Sequence, residues 1–243
     1  MSQELWNSLA QKAGLTLNPL QVGQLNSYLD LLLAANQRMN LTRITDRSNA
    51  EILHVGDALT LLPLLPPQAH RLADVGAGGG VPGIVLAIAR PEIHVTLIEA
   101  TRKKADFLRA AADELKLTNI AVEPRRAEEI AHSPMRESFD VVVARAVALL
   151  PILVEWLLPL VKIGGFALAM KGPKAIEELK QAGYAIGQLG GGRAEALPVE
   201  LPQTVGHLLI KIPKIGRTPP RFPRDPSFAK GLPISAPRRT LSG

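Results

Sequence analysis

The stretch Asp74-Val75-Gly76-Ala77-Gly78-Gly79-Gly80-Val81-Pro82-Gly83 decides the fold because of the residues that flank it. Arg71-Leu72-Ala73 begins an apolar run before it, which predicts a short buried strand, and residues 84–89 after it predict a helix. A strand, a glycine loop and a helix N-terminus bring backbone amides close to a ligand, and glycines let that ligand approach without a Cβ in the way. The stretch therefore predicts a ligand-binding loop.

A second predicted strand, Val95–Ile98, ends in Glu99. An acidic side chain roughly twenty positions past such a loop is where a nucleotide ribose finds an acceptor for its hydroxyl groups. The loop and Glu99 together predict a site for an adenosine-containing cofactor.

The loop alone leaves the identity of this cofactor open. Gly78, Gly80 and Gly83 match the dinucleotide fingerprint, which is weak evidence. Asp74 counts against a dinucleotide, since a pyrophosphate gains nothing from a nearby carboxylate. Pro82 also counts against it, because a proline falls inside the supposed fingerprint. S-adenosylmethionine is cationic and free of phosphate, and only its carboxylate suits the helix amides. The loop favours this methyl donor, while a dinucleotide and a purely structural tight turn remain alternatives.

Bulk properties narrow the class of protein. The 243 residues are 47% hydrophobic, enough for one core and a small accessory region. The absence of cysteine excludes disulfides and thiolate metal sites, and the five histidines show no metal-binding spacing. Residues 1–4 lack an export pattern, and the longest apolar stretch, Val147–Val161, is too short to span a bilayer. We expect a cytoplasmic protein without a metal or a membrane anchor.

The net charge of +6 is concentrated at the C-terminus. Between Lys211 and Gly243, eight basic residues stand against one acidic residue, Asp225, and seven of the twenty prolines lie there. A proline-rich basic segment cannot fold as a helix, and it suits either contact with a phosphate backbone or a solvated tail. Beside a methyltransferase site, RNA contact is the favoured interpretation.

Periodicity divides the chain into an N-terminal helical region (1–67), an alternating strand–helix domain (68–216) and the basic tail (217–243). The predicted strands are Leu72–Val75, Val95–Ile98, Ile120–Glu123, Asp140–Ala144, Phe166–Met170, Tyr184–Gln188 and His207–Ile212. The predicted helices between them are Ile84–Ala89, Lys103–Leu115, Ala127–Ala131, Leu149–Leu158 and Ala175–Lys180. This alternation predicts an α/β fold with a doubly wound, mostly parallel seven-stranded sheet, whose ligands bind at the carboxyl ends of its strands.

Several residues at predicted strand ends are candidates for the site. Thr101 should cap the helix after the second strand with its hydroxyl group, and Arg102-Lys103-Lys104 would oppose the helix dipole unless an anion is near. Arg125-Arg126-Ala127-Glu128 follows the third strand, where an adenine edge would lie or an ordinary helix would start.

Other candidates carry charge at the predicted crevice. Arg145 ends an apolar strand and is costly there unless it meets an anion or a stacked ring, and Lys171 repeats that pattern one strand later. His54 and Asp57 lie one helical turn apart, as a functional pair or as a polar pair at a domain junction.

Taken together, these motifs resemble the ribosomal RNA small subunit methyltransferase G family, also called the glucose-inhibited division protein B family. The resemblance covers nearly the whole chain. Its motifs are Asn40-Leu41-Thr42, His54 with Asp57, residues 74–78 with Pro82-Gly83, Leu97-Ile98-Glu99, Lys103-Lys104, Phe107-Leu108, Arg126-Ala127-Glu128, Ala144-Arg145-Ala146, Lys171-Gly172, Arg221-Phe222-Pro223-Arg224 and Lys230-Gly231-Leu232-Pro233.

The resemblance implies a class I, Rossmann-like methyltransferase that transfers a methyl group from S-adenosylmethionine to N7 of one guanosine in bacterial 16S ribosomal RNA. It places Gly76, Gly78, Val81, Glu99, Ala100, Thr101, Ala127, Glu128 and Arg145 at the cofactor. It places Asn40, His54, Arg126, Arg145 and Lys171 at the RNA. The chain departs from the family at Ala58, where many members have serine, and at Val81, where they have a larger side chain.

The chemistry agrees with this set of residues. N7 of guanine has a free lone pair and no proton to lose, so methyl transfer needs positioning and electrostatics but no general base. We expect a monomer that acts on 16S ribosomal RNA, the small ribosomal subunit or its assembly intermediate. A non-catalytic RNA-binding module on the same scaffold and a dinucleotide-dependent oxidoreductase are the alternatives.

Overall fold

A computed structural model describes residues 2–225 and 231–235. Its described strands form one seven-stranded sheet in the order β3-β2-β1-β4-β5-β7-β6. The strands are β1 (Arg71–Val75), β2 (His94–Ile98), β3 (Ile120–Glu123), β4 (Phe139–Arg145), β5 (Val161–Lys171), β6 (Glu195–Pro198) and β7 (Leu208–Pro213). Strands β1 to β5 pair in parallel, and β7 runs antiparallel to both β5 and β6. The predicted doubly wound, mostly parallel sheet is confirmed.

The apolar strands occupy the middle of the sheet, where both of their faces are buried. β4 is buried along residues 139–144 and only its last residue, Arg145, is partly exposed. β1 pairs with β2 on one side and with β4 on the other, so the strand order reverses between β1 and β4. A crevice forms outside the carboxyl ends of the strands at such a reversal.

Helices cover both faces of the sheet. They are α1 (Ser2–Gln11), α2 (Pro19–Met39), α3 (Arg47–Ala50), a π-helical turn (Glu51–Gly56), α4 (Asp57–Leu59), a 3-10 turn (Leu62–Leu64), α5 (Gly83–Ala89), α6 (Arg102–Glu114), α7 (Ala127–Ile130), α8 (Leu150–Leu157) and α9 (Ala175–Gln188).

The N-terminal helices share a hydrophobic core with the sheet. Trp6 of α1 and Leu25 of α2 belong to the same buried cluster as Leu97 and Val143 from the sheet. A capping box between Asn18 and Gln21 starts α2. The side-chain amide of Gln21 also donates to the carbonyl of Ile88 at 2.8 Å. The helical region is therefore fixed over one face of the sheet.

One predicted strand is wrong. Residues 184–188 form the last five residues of α9, because Ala182, Ala185 and Ile186 are buried at helical spacing while Tyr184 faces outward, 39% exposed. The sixth strand is instead the short edge strand β6, which pairs with β7. Tyrosine favours strands, but the buried alanines decide the conformation of this segment.

The first part of the basic tail lies against the sheet domain. Arg136 donates to the carbonyls of Thr218 and Phe222, both at 2.8 Å. Arg224 forms an ion pair with buried Glu155 at 2.6 Å. Residues 226–230 and 236–243 of the predicted tail lie outside the described residues. In the described part of the chain, no helix has the length and hydropathy needed to span a bilayer.

Candidate functional site

A cavity of about 1390 Å³ opens at the carboxyl ends of the central strands. Most of the sequence-predicted site residues line this one cavity. They are Asn40, His54, Gly76, Gly78, Val81, Glu99, Ala100, Arg126, Ala127, Glu128, Arg145 and Lys171. Thr101 is not among the residues that line it.

The glycine loop after β1 is held in place from two sides. Gly76 has φ of +71°, and a Cβ there would stand 2.8 Å from the side chain of Val147, so the position requires glycine. The amides of Gly76 and Ala77 both donate to the carbonyl of Ile98 at the end of β2. From α2, the hydroxyl of Tyr28 donates to the carbonyl of Gly79 at 2.7 Å. Tyr28 is not among the residues that the sequence predicted for the site.

Asp74 has a structural role that corrects the sequence interpretation. Its Oδ2 accepts from the amide of Gly83 at 2.8 Å, so that amide is not open to a ligand, and Asp74 does not line the cavity. Complete burial raises the pKa of Asp74 to about 7, and among the described residues its Oδ1 has no hydrogen-bond partner. A Cβ on Gly83 would stand 2.8 Å from the same carboxylate, which explains a glycine there.

Glu99 joins the glycine loop to the next helix. Its Oε2 accepts from the amide of Gly78 at 2.9 Å, and its Oε1 accepts from the amide of Thr101 at 2.8 Å. Each carboxylate oxygen has a further lone pair with which to accept a hydroxyl group. Thr101 is the N-cap residue of α6, as predicted, but its hydroxyl makes no capping hydrogen bond among the described residues, so that part of the prediction is wrong. The Glu99 carboxylate binds the Thr101 amide instead.

The turn after β3 contributes charge of both signs. Glu128 and Ala127 are buried against the cavity. Arg125 is paired with Glu123 at 2.8 Å, while the exposed Arg126 has no ion pair among the described residues. Of the two arginines, Arg126 is therefore the one available to an anion.

Arg145 connects the end of β4 to the N-terminal helices. It donates to the carbonyl of Leu53 at 2.7 Å, to Oδ2 of Asp57 at 3.3 Å and to Nδ1 of His54 at 3.0 Å. Nε2 of His54 lies 3.0 Å from the hydroxyl of Thr42. Sequence reasoning named His54 and Asp57 as a pair and Arg145 apart from them, but it named neither Leu53 nor the role of Thr42.

Burial and Arg145 set the charges in this cluster. Burial, assisted by the positive charge of Arg145, lowers the pKa of His54 to about 3, so its imidazole is neutral. Burial raises the pKa of Asp57, although Arg145 opposes that shift. Leu53 and His54 belong to the π-helical turn at residues 51–56, a feature that is frequent at functional sites.

Lys171 at the end of β5 is also held by the protein. Its ammonium donates to the carbonyl of Ala148 at 2.7 Å and pairs with Glu178 at 2.6 Å. The same Glu178 oxygen accepts from the amide of Leu150 at 2.7 Å. Glu178 was missed because an acidic residue in the first turn of a helix ordinarily only favours the dipole.

The cavity suits a cationic nucleoside. Two carboxylates, Glu99 and Glu128, follow adjacent strands, and apolar side chains including Val81, Ile98 and Ala127 line the same space. Carboxylates accept ribose hydroxyl groups and tolerate a positive ligand, while apolar walls suit a base. Among residues 2–225 and 231–235, no group of three histidine, aspartate or glutamate residues could hold a metal ion. Fold and site define a class I S-adenosylmethionine-dependent methyltransferase.

Comparison with known proteins identifies the family. The family described as rRNA small subunit methyltransferase G matches residues 21–196, and the chain belongs to that family. It is therefore an enzyme, a methyltransferase of ribosomal RNA whose cofactor is S-adenosylmethionine.

Relatives cover nearly the whole chain. The ribosomal RNA small subunit methyltransferase G of Sorangium cellulosum is 44% identical over 86% of this chain and 87% of its own. The protein of the same name from Pelotomaculum thermopropionicum is 42% identical over 93% and 95%.

Solved structures share the fold. Cofactor-bound Rv0187 from MTB has a TM-score of 0.58 at 18% identity, over 78% of this chain and 91% of that one. A SAM-dependent O-methyltransferase from Thermotoga maritima has a TM-score of 0.50 at 16% identity, over 76% and 72%.

Proposed function

We propose that the protein transfers the methyl group of S-adenosylmethionine to N7 of one guanosine in 16S ribosomal RNA. The observation that carries this proposal is the cavity into which both Glu99 and Arg145 open. It unites a carboxylate suited to a ribose with a guanidinium suited to a base or phosphate. The names of the relatives support the small-subunit substrate.

The cofactor side of the site is assigned to residues at the ends of β1 to β4. When bound, S-adenosylmethionine supplies an electrophilic methyl group on a sulfonium. Glu99 accepts from the ribose, and Glu128 offers a second acceptor beside the base. The full proposed set is Gly76, Gly78, Val81, Glu99, Ala100, Thr101, Ala127, Glu128 and Arg145, in which Thr101 acts through the hydrogen bond that its backbone N–H donates to Glu99.

The RNA side is assigned to Asn40, His54, Arg126, Arg145 and Lys171. The exposed Arg126 and Asn40 are accessible to nucleotide phosphates and base edges. Arg145 and Lys171 carry charges that the protein already holds in place, so they can position a base with little loss of entropy. His54 is neutral and both of its ring nitrogens are engaged, which suits a reaction that needs no general base.

The three regions contribute differently to this proposal. Residues 1–67 supply Asn40 and His54 to the RNA side, residues 68–216 bind the cofactor and supply the other three RNA-facing residues, and the basic residues of 217–243 contact RNA. The substrate is the small subunit or its assembly intermediate, met in the cytoplasm by a monomer. Arg224 has a structural role in this proposal, because it pairs with buried Glu155 and, unlike Arg145 and Lys171, does not line the cavity.

The experiment is methyl transfer to small subunits from cells that lack this activity. Purified protein and labelled S-adenosylmethionine should label 16S ribosomal RNA at one guanosine, and that position should become sensitive to reduction and aniline cleavage, as 7-methylguanosine is. RNA binding without label would favour a non-catalytic module. Label at a position resistant to aniline would contradict the N7 assignment.

A further inference from the structure

Thr42 lies in the cavity with its hydroxyl oxygen already in use. The hydroxyl accepts from the amide of Ile44 at 3.1 Å and lies 3.0 Å from Nε2 of His54. The direction of the second bond follows from the far side of the imidazole. Arg145 has only donors to offer, so Nδ1 of His54 must be the acceptor of the 3.0 Å bond between them.

That bond fixes the tautomer of His54. A neutral imidazole with an accepting Nδ1 carries its hydrogen on Nε2, which then donates to the hydroxyl of Thr42. The depressed pKa of His54 agrees with a neutral ring. The guanidinium of Arg145 is in turn held in position by its hydrogen bonds to Asp57 and to the carbonyl of Leu53.

The consequence concerns the one hydrogen of the Thr42 hydroxyl. A hydroxyl group has one donor and two lone pairs, and here both lone pairs are occupied. Within residues 2–225 and 231–235 the hydroxyl makes these two hydrogen bonds and no other, so its hydrogen is not donated to the protein. Since Thr42 lines the cavity, this hydroxyl offers a ligand a donor and no acceptor.

We infer that Thr42 is a specificity-determining residue that donates to O6 of the target guanine and thereby rejects adenine. This rests on the proposed function. Guanine presents N7 and O6, two acceptors, on the edge that is methylated, whereas adenine presents N7 and the N6 donor. An ordinary threonine could rotate to accept from N6. Thr42 cannot, because His54 and Ile44 occupy its lone pairs.

The test combines two protein variants with one altered base. Small subunits are reconstituted with 16S ribosomal RNA that carries guanosine or 2-aminopurine riboside, which lacks O6, at the methylated position. With guanosine, we expect Thr42→Val to lower kcat/KM by about 10- to 100-fold, as a lost partner for a desolvated acceptor does. Thr42→Ser should recover most of that loss, and affinity for S-adenosylhomocysteine should be unchanged in both.

The altered base separates a direct contact from a structural effect. For the wild type, 2-aminopurine should cost about as much as Thr42→Val does, and the variant should lose little more on the altered base, since the same bond is already absent. The inference would be overturned if the loss from Thr42→Val and the loss from 2-aminopurine multiply when the variant acts on the altered base. It would also be overturned if the Thr42→Val enzyme is as active as wild type on guanosine. A wild type that methylates no guanosine at N7 would instead contradict the proposed function.

Discussion

Nη2 of Arg145 lies 3.0 Å from Nδ1 of His54, so a guanidinium at the end of β4 fixes an imidazole in the N-terminal helical region. This contact joins residues 91 positions apart. It fixes the tautomer of the histidine, and the charge of Arg145 assists burial, the larger cause, in keeping the ring neutral. The substrate-facing wall of the cavity therefore depends on the cofactor-binding sheet for its electrostatic state.

The first prediction concerns the titration of His54. In the wild type its ring should stay neutral from pH 8 to pH 5, since its pKa is about 3. Arg145→Met should raise that pKa, but not to the ordinary value, because burial is the larger cause. Ring nitrogen shifts in NMR spectra measure this, with Arg109→Met on α6 as the control. A wild-type His54 that titrates near pH 6.5 would refute the arrangement.

The second prediction concerns Asp74 and pH. Its folded pKa, about 7, lies above the unfolded value, so its contribution to stability is present at low pH and is lost as pH rises toward and through 7. The free energy of unfolding of wild type should therefore fall, relative to Asp74→Asn, by on the order of 2 kcal/mol between pH 5 and pH 8. Urea unfolding at both pH values measures it. The exposed Asp113→Asn variant keeps Asp74 and should follow the pH dependence of wild type, whereas an equal slope for Asp74→Asn and wild type would contradict the assignment.

The third prediction separates Glu178 from its neighbour in the same helix. Glu178→Gln removes the charge that holds Lys171, so kcat/KM for methyl transfer should fall by about tenfold while cofactor affinity stays within about twofold. Glu177→Gln, at an exposed position one residue earlier, is the matched control. Equal activity of the two variants would show that Lys171 needs no partner.

The fourth prediction concerns the C-terminal segment. Arg224→Met leaves the buried Glu155 carboxylate without its ion pair and should lower the free energy of unfolding by about 3 kcal/mol. The exposed Arg217→Met should instead weaken RNA binding and its salt dependence while stability stays the same. Chemical unfolding and RNA titrations at two salt concentrations distinguish the two. An Arg224→Met protein as stable as wild type would contradict a stabilising role for this ion pair.

Local patterns were enough to predict the sheet and most of the cavity. The glycine loop, Glu99 and Arg145 stand at strand ends, and strand ends of a parallel sheet converge, so their proximity could be inferred. Tyr28 and Thr42 could not be assigned, because their roles come from α2 and the following loop packing over the sheet. The role of Asp74 depends on whether its carboxylate points toward the ligand or toward Gly83. The spacing of residues in the sequence does not determine that direction.

The most direct measurement is a crystal structure with bound S-adenosylhomocysteine. The account predicts that the ribose lies against Glu99, that the base lies near Ala127 and Glu128, and that the thioether sulfur faces the part of the cavity lined by Arg145 and Thr42. A nucleoside bound away from Glu99, or a sulfur that faces away from Arg145, would contradict it.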